Sequence, residues 1–174
     1  MPLSLHAAFV PSALQTLNAC DRLLGKAEAW CTENGKEPEF LIKARLHQDM
    51  LPFSYQIKSV AAHTAGAVAG VRAGVFTPDL TRPPEDFAGL AAALGKAREA
   101  LETLGEDELE AHSEGPMRFE MGETRIDFTA ADFLLSFSQP NFYFHAATAY
   151  GIMRMKGVPL GKRDYLGRLR TAAR

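Results

Sequence analysis

The stretch from Pro140 to Gly157 constrains the fold of this chain more than any other. Pro140 suits the first turn of a helix, where its missing N–H is not needed, and Gly157, followed by Pro159, is typical of a helix end. The run predicts a helix of about four to five turns. One narrow stripe on its more apolar face carries Asn141, His145, Thr148 and Ile152. Because an unpaired buried polar group costs roughly 1–3 kcal/mol, Asn141 and His145 need partners inside the fold.

Three further segments have helical periodicity and indicate the fold class. They run from Ser4, a capping residue, to Glu33, from Asp49 to about Arg72, and from about Pro84 to Gly105. A loop of about a dozen residues, from Gly74 to Glu85, joins the second helix to the third. A connection of that length can travel the full length of a bundle, so the third helix can run parallel to the second. The sequence therefore predicts an all-α four-helix bundle.

A small β-hairpin is predicted just before the last helix. Apolar and polar side chains alternate in Met117–Met121 and again in Thr124–Phe128, and the two residues between these runs can form a turn. We expect the apolar side of the hairpin to pack against the bundle, which leaves the fold all-α in its main part.

The second helix carries candidate functional residues. Counted from Asp49, one face of it holds Phe53, Gln56, Val60, His63 and Ala67. Asp49 either acts in a site or simply caps the helix, and His63 is either functional or a hydrogen-bonded interior histidine. His47 falls roughly opposite this face, so it ranks below Asp49 and His63.

Length and charge exclude several classes of protein. The 174 residues fit a single domain, residues 1–174, and the net charge of −2 gives no reason to expect a nucleic acid or an anionic membrane as partner. No apolar run is long enough to span a membrane and no leader pattern is present, so we expect a cytoplasmic protein. Cys20 and Cys31, eleven residues apart in one predicted helix, are too distant to form a disulfide.

Three stretches of the sequence resemble a known family. The run from Asp49 to Phe53 with Gln56, the run from Pro140 to His145, and the string from Gly157 to Gly167 resemble a bacterial and fungal family of unknown function, grouped with the DinB/YfiT-like four-helix bundles. The resemblance spans nearly the whole chain. It implies a bundle in the up-down-down-up order, and it implies a homodimer, because DinB-like bundles often form one.

The same resemblance implies a divalent metal, zinc or nickel. Members of the wider superfamily hold such an ion with one histidine of the second helix and two histidines, four residues apart, of the last helix, and some are thiol-cofactor-dependent transferases or isomerases. Here Asn141 replaces the first histidine of the last-helix pair and His145 keeps the second, while Asp49 and His63 are the candidates on the second helix. An amide oxygen is a poor ligand for zinc or nickel.

Two hypotheses of function follow. In the first, a pocket between the second and last helices binds a small molecule, with or without a metal. His145 is then the ligand or general base and Asp49 its carboxylate partner, while Asn141 and Gln56 orient the substrate. In the second hypothesis the protein is a non-catalytic dimeric bundle, and the same side chains form a structural polar network. Both predict that His145 and Asn141 point inward, toward Asp49.

Overall fold

The computed structural model describes residues 3–172, and its first helix has the predicted limits. Helix α1 spans Leu5–Glu33, and Ser4 caps it because the Ser4 hydroxyl accepts a hydrogen bond of 3.1 Å from the backbone N–H of Ala7. Pro11 lies inside this helix. The predicted cap at Ser4 and the predicted end at Glu33 are confirmed.

The second long helix is interrupted by a π-helical turn. After the short helix α2 (Glu39–Ile42), α3 spans Phe53–Ala61, continues through a first π segment (Ala62–Gly66) and becomes α4 (Ala67–Ala73). Gly74 ends it with a positive φ of 73°. π-helical turns are rare in proteins, and those that occur are often found at functional sites.

The predicted start of this helix at Asp49 is wrong. Pro52 occupies the N-cap position with extended backbone angles, φ −70° and ψ 167°, so that helical structure begins only at Phe53. A residue that precedes a proline is disfavoured in helical conformation, which keeps Leu51 out of the helix. Asp49 consequently lies in a turn before α3 and caps nothing.

The chain between the second and last long helices forms two more helices and a small sheet. Helix α5 spans Phe87–Glu102, capped by Asp86, and α6 spans Glu106–His112. Strand β1 is Val75–Phe76, β2 is Pro116–Met121 and β3 is Thr124–Thr129, in the order β1-β2-β3. β2 pairs with β3 antiparallel, and β1 pairs with β2 in parallel. Strand β1 was not predicted, since two residues are too few for a periodic pattern.

The last long helix also contains a π-helical turn. Helix α7 (Ala130–Asp132) leads through a second π segment (Phe133–Ser138) into α8 (Gln139–Met155), and a short α9 (Lys162–Leu166) follows. α3 packs against α8 and α5, while α1 packs against α5, α8 and α9. Fully buried phenylalanines fill the space between them: Phe9, Phe53, Phe133 and Phe142. None of the helices in the described part of the chain is long and apolar enough to cross a membrane.

Candidate functional site

Two histidines from facing helices lie together between α3 and α8. His63 belongs to the first π segment and His145 to α8. Their imidazole rings are nearly parallel, with 5.7 Å between the ring centroids and 16° between the ring planes. The structure therefore brings His63, and not Asp49, next to His145.

Gln56 fixes the ring of His145. The Nδ1 atom of His145 lies 2.7 Å from Oε1 of Gln56, and Nε2 of Gln56 donates to the carbonyl oxygen of Leu51 at 2.9 Å. Because the amide nitrogen is committed to that carbonyl, Oε1 is the atom that faces the imidazole, and an amide oxygen can only accept. His145 consequently carries its proton on Nδ1, which leaves Nε2 with a lone pair.

Ser138 fixes the ring of His63 in the same way. The hydroxyl of Ser138 donates to the backbone carbonyl of His63 at 3.1 Å, and the Nδ1 atom of His63 lies 3.2 Å from that hydroxyl oxygen. A hydroxyl has a single proton to donate, and with that proton on the carbonyl oxygen Nδ1 of His63 is the donor in the second bond. Both imidazoles therefore share one tautomer, with the proton on Nδ1 and a free lone pair on Nε2.

Both imidazoles are neutral at physiological pH. Burial lowers the pKa of His145 to about 4, because the charged form loses its hydration. Burial also lowers the pKa of His63 to about 4, and the neighbouring His145 adds to this shift. The two rings are thus hydrogen-bond acceptors through Nε2 and carry no charge.

A cavity of about 240 Å³ opens beside these rings. We call it the histidine cavity; its walls are mostly aromatic and aliphatic, and its polar lining residues include His63, His145, Asn141, Ser59, Lys58 and Asp79. Neither Nε2 atom has a hydrogen-bond partner among residues 3–172. In that same part of the chain no side-chain nitrogen or oxygen is both fully buried and unpaired. Each Nε2 is therefore accessible from the cavity.

Asn141 lines the same cavity but is already engaged with its own helix. Its side-chain amide donates to the carbonyl oxygen of Phe137 at 2.8 Å. The oxygen and the second amide hydrogen of Asn141 remain for a ligand. The expected inward orientation of Asn141 thus agrees with the structure, and its proposed role in substrate binding stays a prediction.

Asp49 lies outside the site, which corrects the geometric prediction. Its carboxylate is paired with Nδ1 of His47 at 2.6 Å, and its side chain is 81% exposed. It does not line the histidine cavity. The physical reason is the extended conformation at Pro52, which turns the chain before it away from the axis of α3. Asp49 is therefore no partner of His145 in this conformation.

The residues present do not fit a zinc or nickel centre. The expected ligands were His145, Asp49 and His63, and Asp49 is on the surface. Among residues 3–172 no three His, Cys, Asp or Glu side chains lie close enough together to hold a metal ion. The lone pairs of imidazole lie in the ring plane, so two nearly parallel rings do not direct them at one point. The metal remains an implication of the resemblance that this arrangement does not support.

Three residues of the site were missed at the level of sequence. Ser138 holds the ring of His63, while Lys58 and Asp79 form an ion pair of 2.9 Å at the wall of the cavity. A serine just before a proline-containing helix is only a weak sequence signal of a site residue. The Lys58–Asp79 contact depends on how the loop after α4 folds back onto α3. The spacing of residues along the chain therefore could not have identified Ser138, Lys58 or Asp79.

Comparisons with known proteins place the chain in a family. A family model described as a domain of unknown function, DUF1993, matches residues 5–166. A crystal structure of a DinB family member protein from Shewanella denitrificans superposes with a TM-score of 0.82 at 24% identity and covers 98% of this chain and 96% of its own. No curated protein matches the sequence. The chain therefore belongs to the DUF1993 family and has the fold of a DinB family member.

Proposed function

We propose that the histidine cavity binds a small, largely apolar molecule through an O–H or S–H group, which donates a hydrogen bond to the imidazoles. The observation that supports this proposal is the shared tautomer of His63 and His145, with both Nε2 atoms accessible from one cavity. Two neutral acceptors in an apolar enclosure favour a neutral donor over an anion, because an anion would lose its hydration without gaining a charge partner.

The size of the cavity limits the ligand. An apolar cavity of about 150 Å³ can hold benzene. The histidine cavity, at about 240 Å³, is therefore suited to a molecule somewhat larger than one six-membered ring. Tyr55, Phe76, Phe119 and Phe137 contribute aromatic surface to its wall, which favours a planar ligand.

The imidazoles restrict the chemistry as well. An imidazole with a pKa of about 4 deprotonates only a very small fraction of a thiol, whose ordinary pKa is about 8.5. His145 therefore orients and polarises an S–H or O–H group in the ground state. A thiol-dependent transfer, as the resemblance implies, would use His145 as a general base only as charge develops on the sulfur, because a negative charge nearby raises the pKa of an imidazole.

Nuclear magnetic resonance of the full chain with ¹⁵N-labelled histidine tests the proposal. The free protein should show Nδ1–H tautomers for His63 and His145. Phenol should shift the Nε2 resonances of both residues, and it should bind up to about tenfold more tightly than toluene, which has similar shape but no O–H group. The His145→Gln variant should reduce this preference, since only the Nε2 acceptor of His63 then remains.

His47→Gln is the matched control, since His47 is an exposed histidine outside the cavity. It should leave the binding of phenol unchanged. Equal affinities for phenol and toluene, or Nε2 resonances that neither ligand moves, would overturn the proposal. The polar groups around His145 would then be a structural network, as in the second hypothesis.

We also propose that the four long helices follow the up-down-down-up order and that the protein forms a homodimer. The long connection between α4 and α5 supports the helix order. The dimer rests on the resemblance to DinB-like bundles alone. Sedimentation velocity of the full chain tests it, and a single species with the mass of one chain would refute it.

A further inference from the structure

A second cavity, larger than the histidine cavity, lies next to it. It is an open groove of about 710 Å³ between α3–α4 and α5, and the loop that follows β1 forms part of its wall. Its floor consists of small residues, among them Ala65, Gly66 and Ala69 from the α3–α4 side and Ala93 from α5. The volume lies within the range of roughly 300–1,000 Å³ that ligand pockets occupy.

Lys58, Ala62, Phe76 and Asp79 line both this groove and the histidine cavity, and Lys58 is the charged side chain at their shared wall that is largely buried. The side chain of Lys58 is only 13% exposed. Its ammonium group donates to the carbonyl oxygens of Asp79 at 3.0 Å and Thr81 at 2.7 Å, to the Thr81 hydroxyl at 2.9 Å, and pairs with the Asp79 carboxylate at 2.9 Å. Its three protons are thus fully used, and its charge is matched by that of Asp79.

The remaining charge of the groove is positive. Arg82, on the loop, and Lys96, on α5, both line it, and neither forms an ion pair with any residue in the described part of the chain. Asp79 is the acidic residue of the lining, and Lys58 neutralises it. A ligand in this groove therefore meets an uncharged, apolar floor and two cations.

We propose that the groove binds an organic acid with an elongated apolar body, whose carboxylate is held by Arg82 and Lys96. The apolar body displaces water from the alanine and glycine surface, and the carboxylate takes charge-assisted hydrogen bonds. The volume of about 710 Å³ suits a small molecule of this kind. The groove shares a wall with the histidine cavity, but Ala69, Arg82 and Lys96 line the groove alone, so the proposal does not rest on the function proposed for that cavity.

Isothermal titration calorimetry of the full chain with decanoate tests the proposal, with decylamine as the matched probe of opposite charge. Decanoate should bind, and decylamine should bind at least tenfold more weakly. Arg82→Gln and Lys96→Gln should each weaken the binding of decanoate about fivefold, the upper value for an exposed ion pair. Added salt should weaken it as well.

Three variants test whether decanoate occupies this groove. Ala69→Leu should block binding by filling the groove, whereas Ala100→Leu, at an exposed position of α5 outside the lining, should not. His145→Gln should also leave the affinity for decanoate unchanged. A loss of binding in His145→Gln would place the acid in the histidine cavity and overturn the proposal.

Other outcomes also contradict it. Equal affinities for decanoate and decylamine would show that Arg82 and Lys96 do not hold the carboxylate, which contradicts the proposal. Absence of decanoate binding would overturn the proposal outright. If decanoate does not bind and Ala69→Leu changes the oligomeric state, the groove would be an interface with a second copy of the chain.

Discussion

The protein contains two histidine-centred pairs in contrasting environments. His47 and Asp49 form a salt bridge of 2.6 Å on the surface, with side chains that are 72% and 81% exposed. His63 and His145 are stacked in the interior, and no carboxylate among residues 3–172 is bonded to either ring. Their pKa values are lowered to about 4. The sequence favoured Asp49 because a helix counted from it places it on one face with Gln56 and His63. The difference shows that burial and hydrogen-bond partners, more than residue type, decide which histidines can act on a ligand.

The strongest test of this contrast is the stability of the protein in acid. Both interior histidines have a folded-state pKa of about 4, against an ordinary value of 6.5. Below pH 6.5 the unfolded chain binds protons that the folded protein does not. The free energy of unfolding should therefore fall as pH drops from about 6.5 to 4, by on the order of 3 kcal/mol for each histidine, with no further loss from these groups below pH 4.

Urea unfolding at pH 7, 5.5 and 4 measures this loss. His63→Gln and His145→Gln should each lose less stability between pH 7 and pH 4 than the unmodified chain, since each lacks one buried titrating group. His47→Gln, at the surface pair, should retain the full loss. If all three variants show the same pH dependence as the unmodified chain, the interior pair is not protected from protonation.

A second test removes the partner of His145. Gln56→Ala should lower the free energy of unfolding by about 3 kcal/mol, because it leaves Nδ1–H of His145 and the carbonyl of Leu51 unpaired and opens space at a residue that is 2% exposed. The ¹⁵N resonances of His145 should also change, since its tautomer is no longer fixed. Unaltered resonances in a folded variant would mean that Gln56 does not select the tautomer.

A third test concerns the partner of His63. Ser138→Ala should lower the free energy of unfolding by about 1–2 kcal/mol, because it removes the acceptor for Nδ1–H of His63 and the donor to its carbonyl while changing little volume. Chemical denaturation measures the change. Ser136→Ala is the matched control, since Ser136 is an exposed serine of the same π segment. Within the described residues its hydroxyl bonds only to the carbonyl oxygen of Asp132, one turn before it. This variant should lower the free energy of unfolding by less than Ser138→Ala does.

The smallest effect is expected at the surface pair. Asp49→Asn should change the free energy of unfolding by less than about 0.5 kcal/mol, because an exposed ion pair contributes little. The affinity for phenol should also remain the same. A marked loss of phenol binding in this variant would bring Asp49 back into the site and weaken the contrast between the two pairs.

The parts of the fold that depend on local chemistry could be predicted from the sequence. The cap at Ser4 and the stop at Gly74 are set by one residue each, and the structure places them as expected. The third helix begins at Phe87, after the cap Asp86, three residues later than the predicted start at about Pro84. Helical periodicity also placed Gln56 and His63 on one face of the second helix, and both approach His145. These features require no knowledge of the tertiary structure.

The features that depend on tertiary contacts could not be predicted. The two π segments contain no residue that marks them in the sequence, and the contact of Lys58 with Thr81 spans 23 residues across a loop. Asp49 is different, because a usable signal was present. A residue before a proline is disfavoured in helical conformation, so Pro52 favoured a start of α3 after Leu51, although Pro11 and Pro140 lie inside helices of this chain.

The two π-helical turns also constrain the number of residues in the two helices that contain them. A π-helical turn holds one residue more than an α-helical path would need, so the residues on either side of it are out of phase by about 100°. These turns occur in the two helices that contribute His63 and His145. Deletion of one residue from either turn would re-phase the half-helix beyond it by more than a quarter of a revolution, even where every side chain is retained. Gaps in an alignment of relatives that keep this arrangement should therefore avoid residues 62–66 and 133–138.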